Sequence, residues 1–269
     1  MEQSRIIYKY RNWSIDYHKN CLLKNQLYFS SPRELNDPYD FKIHSDFSLL
    51  DTDYKKLQYI DLGINNASKE QLQKIGNINA YKKRMLSFMK LNPEQFQSEH
   101  DVMETARSSI RFGILCFSLK WNSILMWTHY ANSSKGFCFG LNREKIEADK
   151  IGMSGLVKYQ NEFPSIDPLD TNHMEKIIKQ MHFKAEVWSY EEEYRISIIK
   201  EQALWPADRL YAFPDEYLEE IILGLNISEK DENEILRIAK VKNVPAFKMV
   251  KKHNSFDIYR KPCKYEYIV

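Results

Sequence analysis

Short alternating strand-like runs, a long middle stretch of helical periodicity and a strand, helix, strand succession near the C-terminus place this sequence in the α+β class. At 269 residues and 43% hydrophobic, the chain can bury a full core as one domain over 1–269. Its parts read as N-terminal strands and a helix over 1–46, a helical insertion over 47–111, and the remaining sheet with a C-terminal strand-helix-strand over 112–269.

Ile6-Ile7-Tyr8-Lys9-Tyr10-Arg11 alternates and is rich in β-formers, which predicts the first strand. Ser14 is placed to cap a helix running through Leu23, and 26–30 predicts a second strand. In the insertion, Ser68-Lys69-Glu70-Gln71 is a capping box and Pro93 suits a first helical position. Strands return over 113–117 and 136–141, around a short helix over 123–131. That helix is apolar nearly all round, so cover on more than one side is expected. Further strands are predicted over 155–159 and 194–199, with a helix over 172–183 between them. The chain then reads as a strand over 220–224, a helix capped by Ser228, and a strand over 244–250. Connections that short favour neighbouring strands joined by a packed crossover helix.

Composition and absences narrow the chemistry. Cys21, Cys116, Cys138 and Cys263 form no Cys-x-x-Cys pair, so free buried thiols are expected. A net charge of +2 gives no strong pull toward nucleic acid, and basic runs such as Tyr81-Lys82-Lys83-Arg84 read as solvated faces. No apolar run approaches the roughly 18 residues of a membrane span, and Met1-Glu2-Gln3-Ser4-Arg5 lacks the apolar stretch of a signal peptide. A cytoplasmic protein without a membrane partner is the expectation. With only 8 glycines there is neither a G-x-G-x-x-G nor a phosphate loop. The sequence also lacks a G-x-S-x-G elbow and an H-E-x-x-H pair, and its seven histidines have no metal-ligand spacing, so no metal is expected.

Three clusters carry more aromatic, polar and charged residues than a core requires: 27–38, 116–118 with 126–130, and 188–195. Together they predict a ligand pocket assembled from distant parts of the chain. Each also has a plainer reading. Asn36-Asp37-Pro38 is a turn signal as well as a candidate ligand loop. Trp127 and Trp188 read first as core anchors, His129 as a satisfied core histidine, and Glu191-Glu192-Glu193 as a surface strand with an ion pair. If the segment is a strand, Glu191 and Glu193 share a face.

The succession Tyr8-Lys9-Tyr10-Arg11, Leu27-Tyr28-Phe29-Ser30-Ser31-Pro32, Asn36-Asp37-Pro38, Cys116-Phe117-Ser118, Met126-Trp127-Thr128-His129-Tyr130, Gly136-Phe137 and Trp188 to Arg195 resembles the bacterial family catalogued as domain of unknown function 2971. More distantly, the order of these blocks is similar to ADP-ribosyltransferases, nearest to the toxins that modify thymidine in single-stranded DNA. That second resemblance implies an ADP-ribosyltransferase-like split mixed sheet with a helical insertion, NAD as substrate, and a toxin or phage-defence setting. It implies that Arg11 grips NAD, that Ser30 or Ser31 lines the nicotinamide pocket, and that Glu193 is catalytic.

Elementary chemistry agrees with those roles. Breaking the glycosidic bond of NAD develops positive charge on the ribose, which a fixed carboxylate stabilises. Glu191 and Glu193 are the catalytic candidates, one holding the ribose and the other positioning the acceptor. Arg11 suits the pyrophosphate, and Tyr8, Tyr10 or Tyr28 can stack on a base. Asn36, Asp37, Trp127, His129 and Tyr130 complete the set expected to bind NAD. Single-stranded nucleic acid and a neutralising protein are the partners expected. Two alternatives stand beside this: a metal-dependent nuclease or hydrolase using Asp37, Asp40 and Glu193, and a non-catalytic nucleotide- or protein-binding module.

Overall fold

The computed structural model describes residues 4–264, the side chain of His173 apart. Met1, Glu2 and Gln3, on which the expectation of a chain without a leader partly rests, lie outside the described residues. The strands are β1 (Ile6–Arg11), β2 (Gln26–Tyr28), β3 (Phe112–Ser118), β4 (Phe137–Asn142), β5 (Met153–Leu156), β6 (Lys158–Gln160), β7 (Phe183–Ala185), β8 (Glu193–Ile199), β9 (Leu210–Ala212), β10 (Leu218–Leu223), β11 (Ala246–Lys251) and β12 (Ile258–Pro262). The helices are α1 (Asp16–Leu23), α2 (Asp53–Asn65), α3 (Lys69–Ile75), α4 (Ile78–Leu91), α5 (Pro93–Arg111), α6 (Ile124–Tyr130), α7 (Arg143–Ala148), α8 (His173–His182) and α9 (Glu229–Lys242). Among the described residues no helix is long and apolar enough to cross a membrane.

Eight strands form a mixed sheet in the order β12-β11-β10-β4-β1-β3-β8-β5. All neighbours are antiparallel except β10 and β11, which run parallel and are joined by α9. Pairing runs through the whole array, so the sheet is not divided into two separate ones. It is nevertheless weakest at one junction: β1 and β3 share a single registered pair, Tyr8 with Ser118. Beyond that pair β1 stays paired with β4 as far as Arg11 and Phe137. The facing edge of β3 is taken instead by Ser30, which exchanges both backbone hydrogen bonds with Ile114 at 2.9 Å. A wedge opens between the two strands.

Alternation along β1 sends its residues to opposite layers. Ile7 joins the larger core with Trp13, Leu22, Phe117, Phe139, Ile196 and Ile235, while Tyr8 and Tyr10 pack with Met126, Trp127 and Cys138 on the other side. The segment predicted as helical carries α2 to α5, which enclose a small core of Phe47, Leu50, Ile60 and Met89. Ser68 and Gln71 form the expected capping box on α3, and Pro93 is the first residue of α5.

Several expectations are corrected. Ser14 does not cap α1: the helix starts after Ile15, and the Ser14 backbone N–H donates to Asn12 Oδ1 at 3.0 Å. The strand expected over 26–30 stops at Tyr28 and pairs with β9 in a separate two-stranded sheet. The run 155–159 divides, β5 joining the edge of the main sheet and β6 pairing in parallel with β7. α6 is covered on two sides but not all round. Met126 and Trp127 are buried against β1, and Ser123 and Tyr130 hydrogen-bond to Tyr190 and Glu191 of the segment Glu186–Glu191, whereas Ile124 and Leu125 are 50% and 47% exposed.

Gly136 fixes the end of β1. A Cβ there would stand 2.1 Å from the Arg11 carbonyl oxygen, and the Gly136 carbonyl already accepts from the Gly224 N–H at 2.9 Å. Gly136→Ala is therefore predicted to lower the unfolding free energy by about 1–3 kcal/mol. The measurement is the urea midpoint at unchanged slope. A midpoint equal to that of the parent protein would contradict the close approach.

Candidate functional site

The wedge between β1 and β3 holds a cavity of about 220 Å³. Lys9 and Arg11 of β1, Cys116 of β3, Ser30 and Asn36, Tyr130 at the end of α6, Lys184 on β7, and Glu191 with Glu193 all line it. Parting the strands frees backbone groups, and a side chain satisfies one of them: Lys9 Nζ donates to the Cys116 carbonyl at 2.6 Å.

Glu191 and Glu193 converge here by a route other than the strand alternation expected. Glu191 ends a 3-10 segment, Glu186–Glu191, and Glu193 begins β8. Glu192 between them is left-handed at φ 40° and ψ 57°, which turns its own side chain out to Lys120. Such a conformation is costly for a residue with a Cβ.

Behind the two glutamates lies a buried ionic cluster. Arg195 has no exposed surface. Its Nε and Nη2 donate to Glu193 at 2.9 Å, Nη1 and Nη2 to Asp40 at 3.0 and 2.8 Å, and Nη1 also to the Met181 carbonyl at 2.7 Å. Lys184 Nζ donates to Glu191 Oε2 at 2.6 Å and to Glu193 Oε2 at 3.4 Å, and stands 4.8 Å from the Trp188 ring. Tyr130 donates to Glu191 Oε1 at 2.6 Å and accepts from Asn36 Nδ2 at 2.9 Å.

Three carboxylates thus face two cations, and their acidities separate. Burial pushes Glu193 up, but Arg195 and Lys184 outweigh it and hold the carboxyl at about 2. Glu191 goes the other way: burial raises it, Glu193 adds to the rise, and Lys184 opposes it. Burial, then Arg11, lowers Lys9 to about 7. Burial and Glu193 push the Cys116 thiol up to about 12, which leaves it a poor nucleophile. Two carboxyls side by side with acidities driven apart are what acid-base chemistry uses.

Of the residues singled out from the sequence, Tyr8, Tyr10, Arg11, Ser30, Asn36, Tyr130, Glu191 and Glu193 line the wedge. The hydroxyls of Tyr8 and Tyr10 are engaged, with Glu220 Oε1 at 2.9 Å and the Lys120 carbonyl at 2.7 Å. Arg11 Nη1 donates to the Tyr10 carbonyl at 3.2 Å. The others lie elsewhere. Tyr28 pairs with Leu210 on the small sheet. Ser31 caps the 3-10 turn Pro32–Glu34 and donates to the Ser109 carbonyl at 2.7 Å. Asp37 is a buried turn residue whose Oδ1 accepts from the Tyr39 N–H at 2.9 Å. Trp127 is fully buried, its Nε1 donating to the Trp121 carbonyl at 2.7 Å. His129 is exposed, its ring 6.1 Å from that of Tyr190.

Lys9, Lys184 and Arg195 are the site residues that the sequence reading does not single out. Lys9 and Arg195 had a signal, since each sits two residues from a candidate on the same strand face. Lys184, in the short run Phe183-Lys184-Ala185, had none. Asp40 and Glu193 are bridged by the Arg195 guanidinium, and Asp37 lines a different cavity, so the trio of the metal-dependent reading does not converge.

The family described as "Protein of unknown function (DUF2971)" has a model that matches residues 126–196. That stretch carries Tyr130, Lys184, Glu191, Glu193 and Arg195. No curated protein and no solved structure matches the chain.

The Glu193 shift fixes a pH dependence. An unfolded glutamate ionises near 4.5 and the folded one at about 2, so its stabilisation is complete above 4.5 and is lost as the pH falls toward 2. Glu191, raised on folding, acts oppositely in the range above 4.5. Urea unfolding between pH 5 and 2 is expected to fall more steeply for the parent protein than for Glu193→Gln. Parallel profiles would remove Glu193 as the depressed group.

Proposed function

We propose that the wedge receives the nicotinamide ribose half of NAD and cleaves its glycosidic bond, as an ADP-ribosyltransferase-like enzyme or NAD glycohydrolase. Carrying this reading is the pair of buried carboxyls with separated acidities, set in a cleft that also presents Lys9 and Arg11. At about 220 Å³ the cavity is smaller than the roughly 300–1,000 Å³ that holds a drug-sized ligand. On this reading the cavity takes the nicotinamide and its ribose alone, and the diphosphate stays outside it, drawn by Arg11.

The bond between ribose C1 and the nicotinamide nitrogen breaks with both electrons going to the nitrogen. Nicotinamide leaves neutral, and an oxocarbenium ion remains on the ribose. Glu193, ionised and saturated by Arg195 and Lys184, acts as a fixed negative charge. Glu191 has fewer donors, Tyr130 and Lys184, and is the carboxyl free to hydrogen-bond a ribose hydroxyl or to accept the proton of the incoming nucleophile. Water as acceptor gives a glycohydrolase. Likeness to the thymidine-modifying toxins makes single-stranded nucleic acid the transfer acceptor to try, in a toxin or phage-defence setting with a neutralising partner.

Purified protein incubated with NAD and chelator, with and without single-stranded DNA or RNA, is expected to release nicotinamide. Glu191→Gln should lower that release by about 10²-fold or more at unchanged fold. Glu193→Gln should also lose stability, by about 3–5 kcal/mol, because Arg195 is left buried beside too little negative charge. Absence of both nicotinamide release and NAD binding under all these conditions would overturn the proposal; NAD binding without release would make the wedge a binding module.

A further inference from the structure

Two buried lysines line the wedge, and they are held in opposite ways. Lys184 Nζ stands 3.7, 2.6 and 3.4 Å from carboxylate oxygens of Asp40, Glu191 and Glu193, so it is fixed as an ammonium. Lys9 makes no ion pair among the described residues. Its Nζ meets the uncharged Cys116 carbonyl at 2.6 Å and stands 5.1 Å from the centre of the Phe117 ring. An amine donates to a carbonyl without needing a positive charge, and then keeps a lone pair. We propose that Lys9 is a nucleophilic amine that condenses with a small aldehyde admitted to the wedge.

The groups that face Lys9 come from four elements, and together they favour the amine. Arg11, two residues on along β1 and so on the same face, is a fixed cation that opposes a second charge beside it. Cys116 on β3 and Cys21 on α1 are thiols that burial pushes up to about 12, so neither supplies an anion near neutrality. Glu193 on β8 favours the ammonium, but its charge is already taken up by Arg195 and Lys184. Burial first and Arg11 next therefore bring the Lys9 ammonium down to about 7. Desolvation and a neighbouring cation are the two means by which a lysine becomes a nucleophile at neutral pH.

The same cavity holds what the condensation needs. At about 220 Å³ it admits a carbonyl compound of a few carbons, and Glu191, its carboxyl raised by burial, lines it as a proton donor. The Nζ lone pair bonds to the carbonyl carbon, the π electrons move to oxygen, and one Nζ proton follows them, giving a carbinolamine. The hydroxyl leaves as water with a proton from the Glu191 carboxyl, and Nζ gives its remaining proton to that carboxylate as the imine forms. Amine and aldehyde become imine and water, with no change of oxidation state.

The probe is glycolaldehyde, applied to the full chain from about pH 5.5 to 9.5 with cyanoborohydride as the hydride donor that turns an imine into a stable amine. Labelling is read lysine by lysine by peptide mass mapping. Below pH 7, Lys9 is expected to label about tenfold or more faster than exposed lysines. Above pH 7 its rate should level off while theirs still rise, so that the ratio falls by about tenfold per pH unit. Lys9→Arg keeps a donor for the Cys116 carbonyl but has no primary amine; it should lose that label and leave the others within about twofold. Arg11→Gln removes the neighbouring cation and should move the levelling-off upward by about one pH unit. That pattern supports the site. Labelling of Lys9 no faster than that of exposed lysines, or a rate that rises in parallel with theirs through pH 9, overturns it; an unmoved profile in Arg11→Gln overturns the part given to that cation. NAD is absent throughout, so the result stands apart from the glycosidic chemistry of the wedge.

Discussion

Arg195 is the constraint on which the site depends. A guanidinium has five N–H groups in a fixed plane, and here all five are satisfied by two carboxylates and one carbonyl. Those partners come from three places: Asp40 after the N-terminal strands, Met181 at the end of α8, and Glu193 on β8 itself. Lysine could not replace it, because a point charge with three donors cannot fork onto two carboxylates and a carbonyl together. A group this deeply buried is destabilising unless every donor is met, so the three segments are held in one arrangement or the cluster fails. Lys184 and Glu191 take their places around that fixed centre.

The wedge is the complementary feature, since a sheet paired along its full length would leave no space beside the glutamates. Only the Tyr8 and Ser118 pair joins β1 to β3, and Ser30 replaces β1 at the Ile114 edge. Lys9 is buried where the strands part, donating to a carbonyl that a regular ladder would have paired. One backbone group freed by the opening is thereby met, and the same contact places a cation of lowered pKa in the cleft.

How much of this could be read from the residues varies with the range of the interaction. β1, the capping box at Ser68, Pro93 at the start of α5, Ser228 before α9 and the parallel β10–β11 pair follow from local periodicity and capping. β9 and β12 carry no such signal, being short and mostly exposed, and β2 finds its partner 182 positions along the chain, Tyr28 to Leu210. Of the candidate site, the residues placed on β1 and around Glu191 were legible as clusters. Ser31, Asp37 and Trp127 belong to the same clusters but point into caps, turns and core, because a cluster does not reveal which way each member faces. Lys184 was invisible, its role existing only once Asp40, Glu191 and Glu193 have been folded around it.

The unequal acidity of the two glutamates follows from backbone geometry. Had 190–195 been a continuous strand, Glu191, Glu193 and Arg195 would have shared one face at regular spacing, and Arg195 could have neutralised only its neighbour along the row. The left-handed turn at Glu192 instead takes Glu191 out of the strand, beyond reach of the guanidinium but within reach of Lys184 and Tyr130. Glu193 keeps the fork and is driven to low pKa, which in turn makes ionisation of Glu191 harder. One strained residue, exposed at its own side chain, thus converts two chemically identical carboxyls into a fixed charge and a titratable partner.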